Sequence, residues 1–359
     1  MKYIVAILAF FSSVFLFSCI EIIDFNINEN SDQIVIIGSI TTEPGPYEIT
    51  ITKASDFYTP SYVSGNEIND ARVSISSDDG QVEELSYTED GVYVSRAEGI
   101  RGEVGRSYTL TIITANNEIY QSSSELITQS PSIDSLYIEY QEVDEFENGI
   151  VVTNKYANLL VDLLDDPNAE NYYSWTWDGT YQFSSNPELF TTRNGGPPVI
   201  TPLPCSFGDC SCCTCWLNTP EKNDLALSSD LLFNGNIIKK LYAGTVPITP
   251  RSFQYKYLIN VKQKTLSKKG YDFWQLIKDQ ASASTILATP PAQIIGNISN
   301  INNPSELVWG FFSASDVVTK SFYLSASDIP NFNAIQTDTI RNDCRTIPGA
   351  TTQTPPFWE

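Results

Sequence analysis

The stretch "ARVSISSDDGQVEELSYTEDGVYVS" (71–95) most constrains the fold of this chain. Short runs of alternating apolar and polar residues are broken by Asp79-Gly80 and Asp90-Gly91. Asp-Gly between alternating runs favours the left-handed turns that join antiparallel strands. The same rhythm runs through "QIVIIGSI" (33–40), "YEITITKA" (47–54) and "GRSYTLTIITANNEIYQSSSEL" (105–126), the last with Asn116-Asn117 at a hairpin tip. These runs predict about seven strands in just under 100 residues, the size of one sandwich domain. With 20 Pro and 19 Gly as punctuation, helices have little room.

"TQSPSIDS" (128–135) reads as a linker stiffened by Pro131, and a larger β-rich domain is expected over residues 133–359. Its strands are expected at "LYIEYQEV", "YANLLVDLL", "NYYSWTWDGTYQF", "FQYKYLINVKQKTL" and "KSFYLSAS". One short helix is predicted at "SKKGYDFWQLIKDQAS" (267–282), capped by Ser267, with Tyr271, Trp274, Leu276 and Ile277 as its apolar face. The fold class is therefore all-β. An immunoglobulin- or transthyretin-like sandwich over 31–127 precedes the larger domain.

The first residues predict an exported protein. "MKYIVAILAFFSSVFLFSC" has one charge, Lys2, then an apolar run too short to span a bilayer. "LFSC" (16–19) is similar to a bacterial lipobox. Residues 1–18 are expected to be a signal peptide, Cys19 the lipidated residue, and 19–30 a tether to the outer membrane. Two or three acyl chains at about 0.8 kcal/mol per buried CH₂ give a firm anchor. The net charge of −22 excludes nucleic acid as an expected partner.

The chain contains no histidine. That removes Ser-His-Asp and Cys-His catalysis and the common histidine zinc sites. No catalytic residues and no cofactor are expected. What stands out instead is "CSFGDCSCCTCW" (205–216). It places Cys205, Cys210, Cys212, Cys213 and Cys215 in eleven residues, with Cys344 as the remaining partner once Cys19 is lipidated. An even count in an oxidising compartment points to disulfides. A bridge from the cluster to Cys344 closes a loop of about 130 to 140 residues, for which chain entropy gives about 5 kcal/mol. The rival reading is a thiolate site for Cu(I) or Zn(II), so metal binding stays open. Phe207 and Trp216 are expected as exposed partner contacts on this loop.

Two further features are candidate sites. "YYSWTWDGTYQF" alternates Tyr173, Trp175, Trp177 and Tyr181, and one face offers an aromatic platform for a ligand. Asp165, Asp166 and Asn168 are candidate calcium ligands, against the plainer reading of an acidic turn. Acidic clusters also lie at Asp78-Asp79 and in "EYQEVDEFEN" (139–148). "ATPPAQIIGNIS" (288–299) is expected to pack as a rigid loop over the second domain's core.

The series "IVIIGSI", "ARVSISSDDG", "DGVYVS", "GEVGRSYTLTI", "IDSLYIEY", "DDPNAENYYSWTW", "LSKKGYDFWQLIKDQ", "TPPAQIIGNIS", "VWGFFSAS" and "DCRTIPGATTQTPPFW" resembles the Bacteroidota lipoproteins grouped as domain-of-unknown-function family 4249. The resemblance implies a two-domain outer-membrane or surface lipoprotein of a kind often encoded beside a TonB-dependent transporter. It supplies no catalytic residues. The expectation is a non-enzymatic accessory or ligand-capture subunit. The alternatives are a surface adhesion module and a metal-handling lipoprotein built on the cysteine cluster.

Overall fold

A computed structural model describes residues 33–54, 66–167, 170–186, 191–192, 199–200, 213–231, 235–282, 294–330, 340 and 343–358. The expected signal peptide and tether, Cys19, Cys205, Phe207, Cys210, Cys212 and Asn168 lie outside the described residues.

The described chain is mostly strand. Its first part gives β1 (Ile34–Thr41), β2 (Glu48–Lys53), β3 (Arg72–Ser77), β4 (Val82–Glu84), β5 (Ser86–Tyr87), β6 (Val92–Val94), β7 (Ser107–Ile113), β8 (Ile119–Ser122) and β9 (Glu125–Leu126). The second part gives β10 (Ile133–Glu147), β11 (Ile150–Leu164), β12 (Tyr172–Ser184), β13 (Thr191–Thr192), β14 (Val199–Ile200), β15 (Thr214–Ser229), β16 (Ile237–Pro247) and β17 (Lys256–Leu266). The helix α1 (Lys268–Ser282), β18 (Ile298–Asn300), β19 (Trp309–Ser315) and β20 (Val317–Ser325) follow. The expected turns are present, with φ of 91° at Gly80, 50° and 75° at Asp90 and Gly91, and 62° at Asn117.

Two sheets make the first sandwich: β19-β1-β2-β6-β5 and β18-β8-β7-β3-β4, with β9 pairing β7. Period-two alternation drives the packing. Ile36 and Ile40 of β1, Ile49 and Ile51 of β2, and Tyr108, Leu110 and Ile112 of β7 all face one buried core. Tyr93 is buried there with its polar end satisfied. Its hydroxyl donates to the Ile68 carbonyl at 3.0 Å and accepts from the Ala71 N–H at 2.9 Å.

The membership of this sandwich differs from the expected division at 127/133. Both sheets are completed by residues that follow α1. β19 pairs in parallel with β1, from Val35↔Trp309 to Thr41↔Ser315, and β18 pairs antiparallel with β8. Ile298, Val308, Phe312 and Ala314 fill the same core. Described residues of "ATPPAQIIGNIS" therefore pack on the first sandwich, not on the second domain's core. Asn297 clamps the segment by accepting from the Phe312 N–H at 2.9 Å and donating to its carbonyl at 2.8 Å. The crossing is so close that only glycine fits. A Cβ on Gly310 would lie 1.9 Å from the Ile36 carbonyl oxygen, and one on Gly296 would lie 1.5 Å from that of Gly310.

The second body is also a sandwich, with sheets β10-β11-β16 and β15-β12-β17-β20. Its core holds Leu159, Val161 and Leu163 from β11 against Tyr173, Trp175 and Trp177 from β12 and Ile259 and Val261 from β17. β11 meets β16 only from Tyr156 onward, so the β10–β11 hairpin runs past the sheet as a two-stranded arm. Its Asn148-Gly149 turn has positive φ at both residues. Phe146, Ile150 and Val151 are exposed at its tip.

The joint between the bodies is a buried polar lock rather than a free linker. Asp316 accepts from the Thr42 hydroxyl at 2.7 Å and from the Ser130 N–H at 2.8 Å. Gln263, fully buried, donates to the Ser130 hydroxyl and the Pro131 carbonyl and accepts from Trp175 Nε1. Thr265 donates to the Thr128 carbonyl at 2.9 Å. Buried groups bonded this densely favour one relative placement of their elements.

α1 reinforces the joint. Ser267 caps it, its hydroxyl accepting from the Gly270 N–H at 3.2 Å. The buried residues of the helix are Gly270 and Phe273, while Leu276 is exposed. The expected apolar face is thus turned: Phe273 seats on Phe311 of β19, with ring centroids 5.2 Å apart. Tyr271 instead meets Tyr172 of β12 at 5.1 Å. Among the described residues no helix is long and apolar enough to cross a membrane.

Candidate functional site

The alternation that fills each core also decides what faces outward. On β1, Ile36 and Ile40 point in, so Ile37 and Ser39 point out. On β19, Phe312 and Ala314 point in and Ser313 points out. On β12, Trp175 and Trp177 point in and Ser174 and Thr176 point out. These outward faces oppose each other across the joint and enclose a cleft of about 470 Å³. That is the size of a small-molecule site. Pro44, Pro46 and Tyr47 line its wall on the side of the first sandwich, and Trp274 of α1 lines it as well. Tyr47 is held by donating its hydroxyl to the Thr41 and Glu43 carbonyls at 2.7 and 2.6 Å.

An ion-pair network ties the cleft walls together. Lys264 Nζ lies 2.8 Å from Glu221 Oε1. Lys262 Nζ lies 3.5 Å from Glu221, 3.6 Å from Asp178 and 3.3 Å from Glu43, which comes from the other sandwich. Burial pushes the Glu221 carboxyl up, but the Lys264 ammonium, the Thr176 hydroxyl and the Lys262 ammonium together outweigh it and hold the group below the usual carboxylate range. Burial likewise opposes charge on Lys262, and the carboxylates of Glu43, Glu221 and Asp178 overcome it and hold the ammonium above the usual lysine range. Both charges persist at neutral pH, and each is spoken for.

Thr176 is the exception in this wall. It is only 5% exposed, and its Oγ1 has no hydrogen-bond partner. It stands close enough to Glu221 to help hold that carboxyl low. A buried hydroxyl left unpaired costs about 1–3 kcal/mol.

The structure places the expected site residues elsewhere. Trp175 and Trp177 are core residues, 0% and 2% exposed, and form no platform. Their indole N–H groups donate to Gln263 and Asp224, both at 3.1 Å. The alternation was real, but all three of Tyr173, Trp175 and Trp177 share the inward phase. Trp216 is also buried, packed edge-on to Trp358 at 6.3 Å, and is not an exposed contact. The returning tail covers it, with paired Trp216 and Thr351 backbones at 2.8 and 3.0 Å.

The cysteine cluster is linked to Cys344 through Cys215, with Cα atoms 5.9 Å apart. Both sulfurs are buried beside Phe183, Leu217 and Ile347. Cys213 is disulfide-bonded as well. Cys213 and Cys215, both in disulfides, are therefore not thiolate ligands. Among the described residues no cluster of His, Cys, Asp and Glu is arranged to hold a metal ion.

The acidic clusters have local partners. Asp165 is buried and accepts from the Tyr173 hydroxyl at 2.7 Å and the Gly235 N–H at 3.1 Å. Asp78 and Asp79 pair with Arg106 at 3.5 and 3.8 Å. On the hairpin arm, Thr153 donates to Asp144 and Asn154 to Glu145, both at 2.7 Å. The cleft itself was missed because its Ser and Thr residues sit where an alternating strand normally meets water. The available signal was the run of small hydroxyl residues in "GSIT", "YYSWTW" and "WGFFSAS".

Fold and site together define the class: an all-β protein of two sandwiches locked around a ligand-sized cleft. The chain belongs to the family described as Domain of unknown function (DUF4249), whose model matches residues 20–321. A search of curated proteins finds no match. Among solved structures the chain is similar to one of a Corynebacterium diphtheriae protein that carries the name of a membrane anchored protein. That match has 12% identity and a TM-score of 0.18, covering 66% of this chain and 54% of that one. The match thus spans about half the length of that protein.

Proposed function

We propose that this protein is a non-enzymatic, lipid-anchored component of the bacterial outer membrane that captures a ligand for a TonB-dependent transporter. The observation that carries the reading is the cleft between the sandwiches, walled by both bodies and set by the joint at Asp316 and Gln263. A preformed cleft binds without the cost of ordering its walls. Anchoring through Cys19 follows from the "LFSC" motif, and the transporter partner from the resemblance to Bacteroidota lipoproteins. The absence of histidine and the full pairing of Lys262, Lys264 and Glu221 favour binding over catalysis.

A second reading, surface adhesion, draws on the hairpin arm, whose tip exposes Phe146, Ile150 and Val151. Isolating the C-terminally tagged protein from gently solubilised outer membranes separates the two. A stoichiometric transporter barrel supports capture for uptake. An anchored lipoprotein without a barrel moves the assignment to adhesion. A Cys19→Ala variant is expected in the soluble fraction, and its persistence in the membrane would remove the lipid anchor.

A further inference from the structure

We infer that the cleft is built for a neutral, polyhydroxylated ligand, a short saccharide. The inference rests on reading the cleft as a ligand site and adds the ligand's chemical class. Hydroxyl side chains come from both walls, with Ser39, Thr50 and Ser313 opposing Ser174 and Thr176. A hydroxyl both donates and accepts, so a wall of them matches a ligand that does the same at each carbon. Thr176 lines the cleft beside Glu221, and its Oγ1 makes no hydrogen bond of good geometry. Turned toward the cleft, that hydroxyl would be satisfied by a ligand hydroxyl.

Charge narrows the class further. The cleft's lysine, Lys264, is taken by Glu221, and neighbouring Lys262 lies among Glu43, Glu221 and Asp178. Glu43 and Glu48 add negative charge at the cleft wall. An anion would find no unpaired cation and would face this excess. A neutral hydroxyl can instead bridge the Glu221–Lys264 pair, donating to the carboxylate and accepting from the ammonium. Trp274, Leu225 and Leu227 supply the apolar surface on which the C–H face of a sugar ring packs. An alkyl ligand would bury the hydroxyls without partners.

The test is isothermal titration of the mature protein with maltotriose, cellotriose, mannotriose and xylotriose, and with laurate and trialanine as rival probes. At least one saccharide is expected to bind. Trp274→Ala and Thr176→Val are each expected to weaken it by about tenfold or more. Thr176→Val keeps the side-chain shape and removes only the hydroxyl, so a melting temperature near that of the parent is expected. No heat from any saccharide at about 10 mM, a range that reaches weak millimolar sites, overturns the inference. Saccharide binding that survives both substitutions overturns it too, as does binding of laurate or trialanine alone. Saccharide binding without a copurifying barrel removes the transporter and keeps the ligand class. A barrel with no saccharide binding does the reverse.

Discussion

Replacing Gly310 with alanine tests whether the chain's late segment truly completes its first sandwich. Gly310 has φ of 100° and sits in β19 directly opposite Ile36 of β1. An alanine Cβ would meet the Ile36 carbonyl oxygen at 1.9 Å, so the strands must part by more than 1.1 Å (3.0 − 1.9) to reach even the shortest contact real Cβ atoms show. The left-handed backbone costs about 1–2 kcal/mol for a residue with a side chain. Parting the strands adds about 2 kcal/mol from two weakened ladder bonds at about 1 kcal/mol each. The total is about 3–4 kcal/mol. Gly80 provides the control, with φ of 91° and nothing within 4 Å of a Cβ, so Gly80→Ala carries only the backbone part. The loss of glycine entropy in the unfolded chain is common to both and cancels. Urea unfolding of each variant, with hydrogen exchange of the β1 amides, should show Gly310→Ala weaker by about 2 kcal/mol. Equal stabilities would refute the β1–β19 pairing.

Three other outcomes are expected. Replacing Cys215 and Cys344 together by alanine opens a 129-residue loop and should cost about 5 kcal/mol on the chain-entropy account. An unchanged urea midpoint would show that tail packing at Trp358 suffices. Glu83 is buried and accepts from the N–H groups of Arg96 and Ile100. Burial pushes its carboxyl up, but these bonds outweigh it and hold it below the usual range. Its stabilisation is therefore present above the ordinary carboxylate range and lost as pH falls through the lowered value. Glu83→Gln should cost about 2–3 kcal/mol at neutral pH, fading on acidification in thermal melts. Asp230 is the opposite case, raised by burial and then by nearby Asp165, with one oxygen lacking a partner. Its buried charge costs stability above the raised value, so Asp230→Asn should raise the melting temperature at neutral pH, with the gain shrinking in acid. A lower melting temperature would contradict this.

The β-rich class was legible because alternation and Asp-Gly turns are local signals, and the helix because Ser267 caps a helical pattern. What was hidden is long-range. Nothing in "VWGFFSAS" says that Trp309 pairs in parallel with Val35 rather than with the strands beside it in sequence. Phase was hidden too. "YYSWTW" fixes that Trp175 and Trp177 share a face, but only packing against Leu159 and Val161 makes that face the core. Trp216 is adjacent to the cysteine cluster in sequence, and it is the tail at Thr351 and Trp358 that covers it. The cleft escaped notice for a similar reason. Ser39 and Thr176 face outward from their own sheets, and become the wall of a cleft only because Asp316 and Gln263 lock the sheets face to face.

Hydrogen–deuterium exchange of the protein, with and without a saccharide that gives heat in the titration, tests the shared cleft most directly. The account predicts slowed exchange in β1 and β19 on one wall together with β12 and β15 on the other, and no change at the tip of the β10–β11 arm. Protection confined to one sandwich, or centred on that tip, would contradict it.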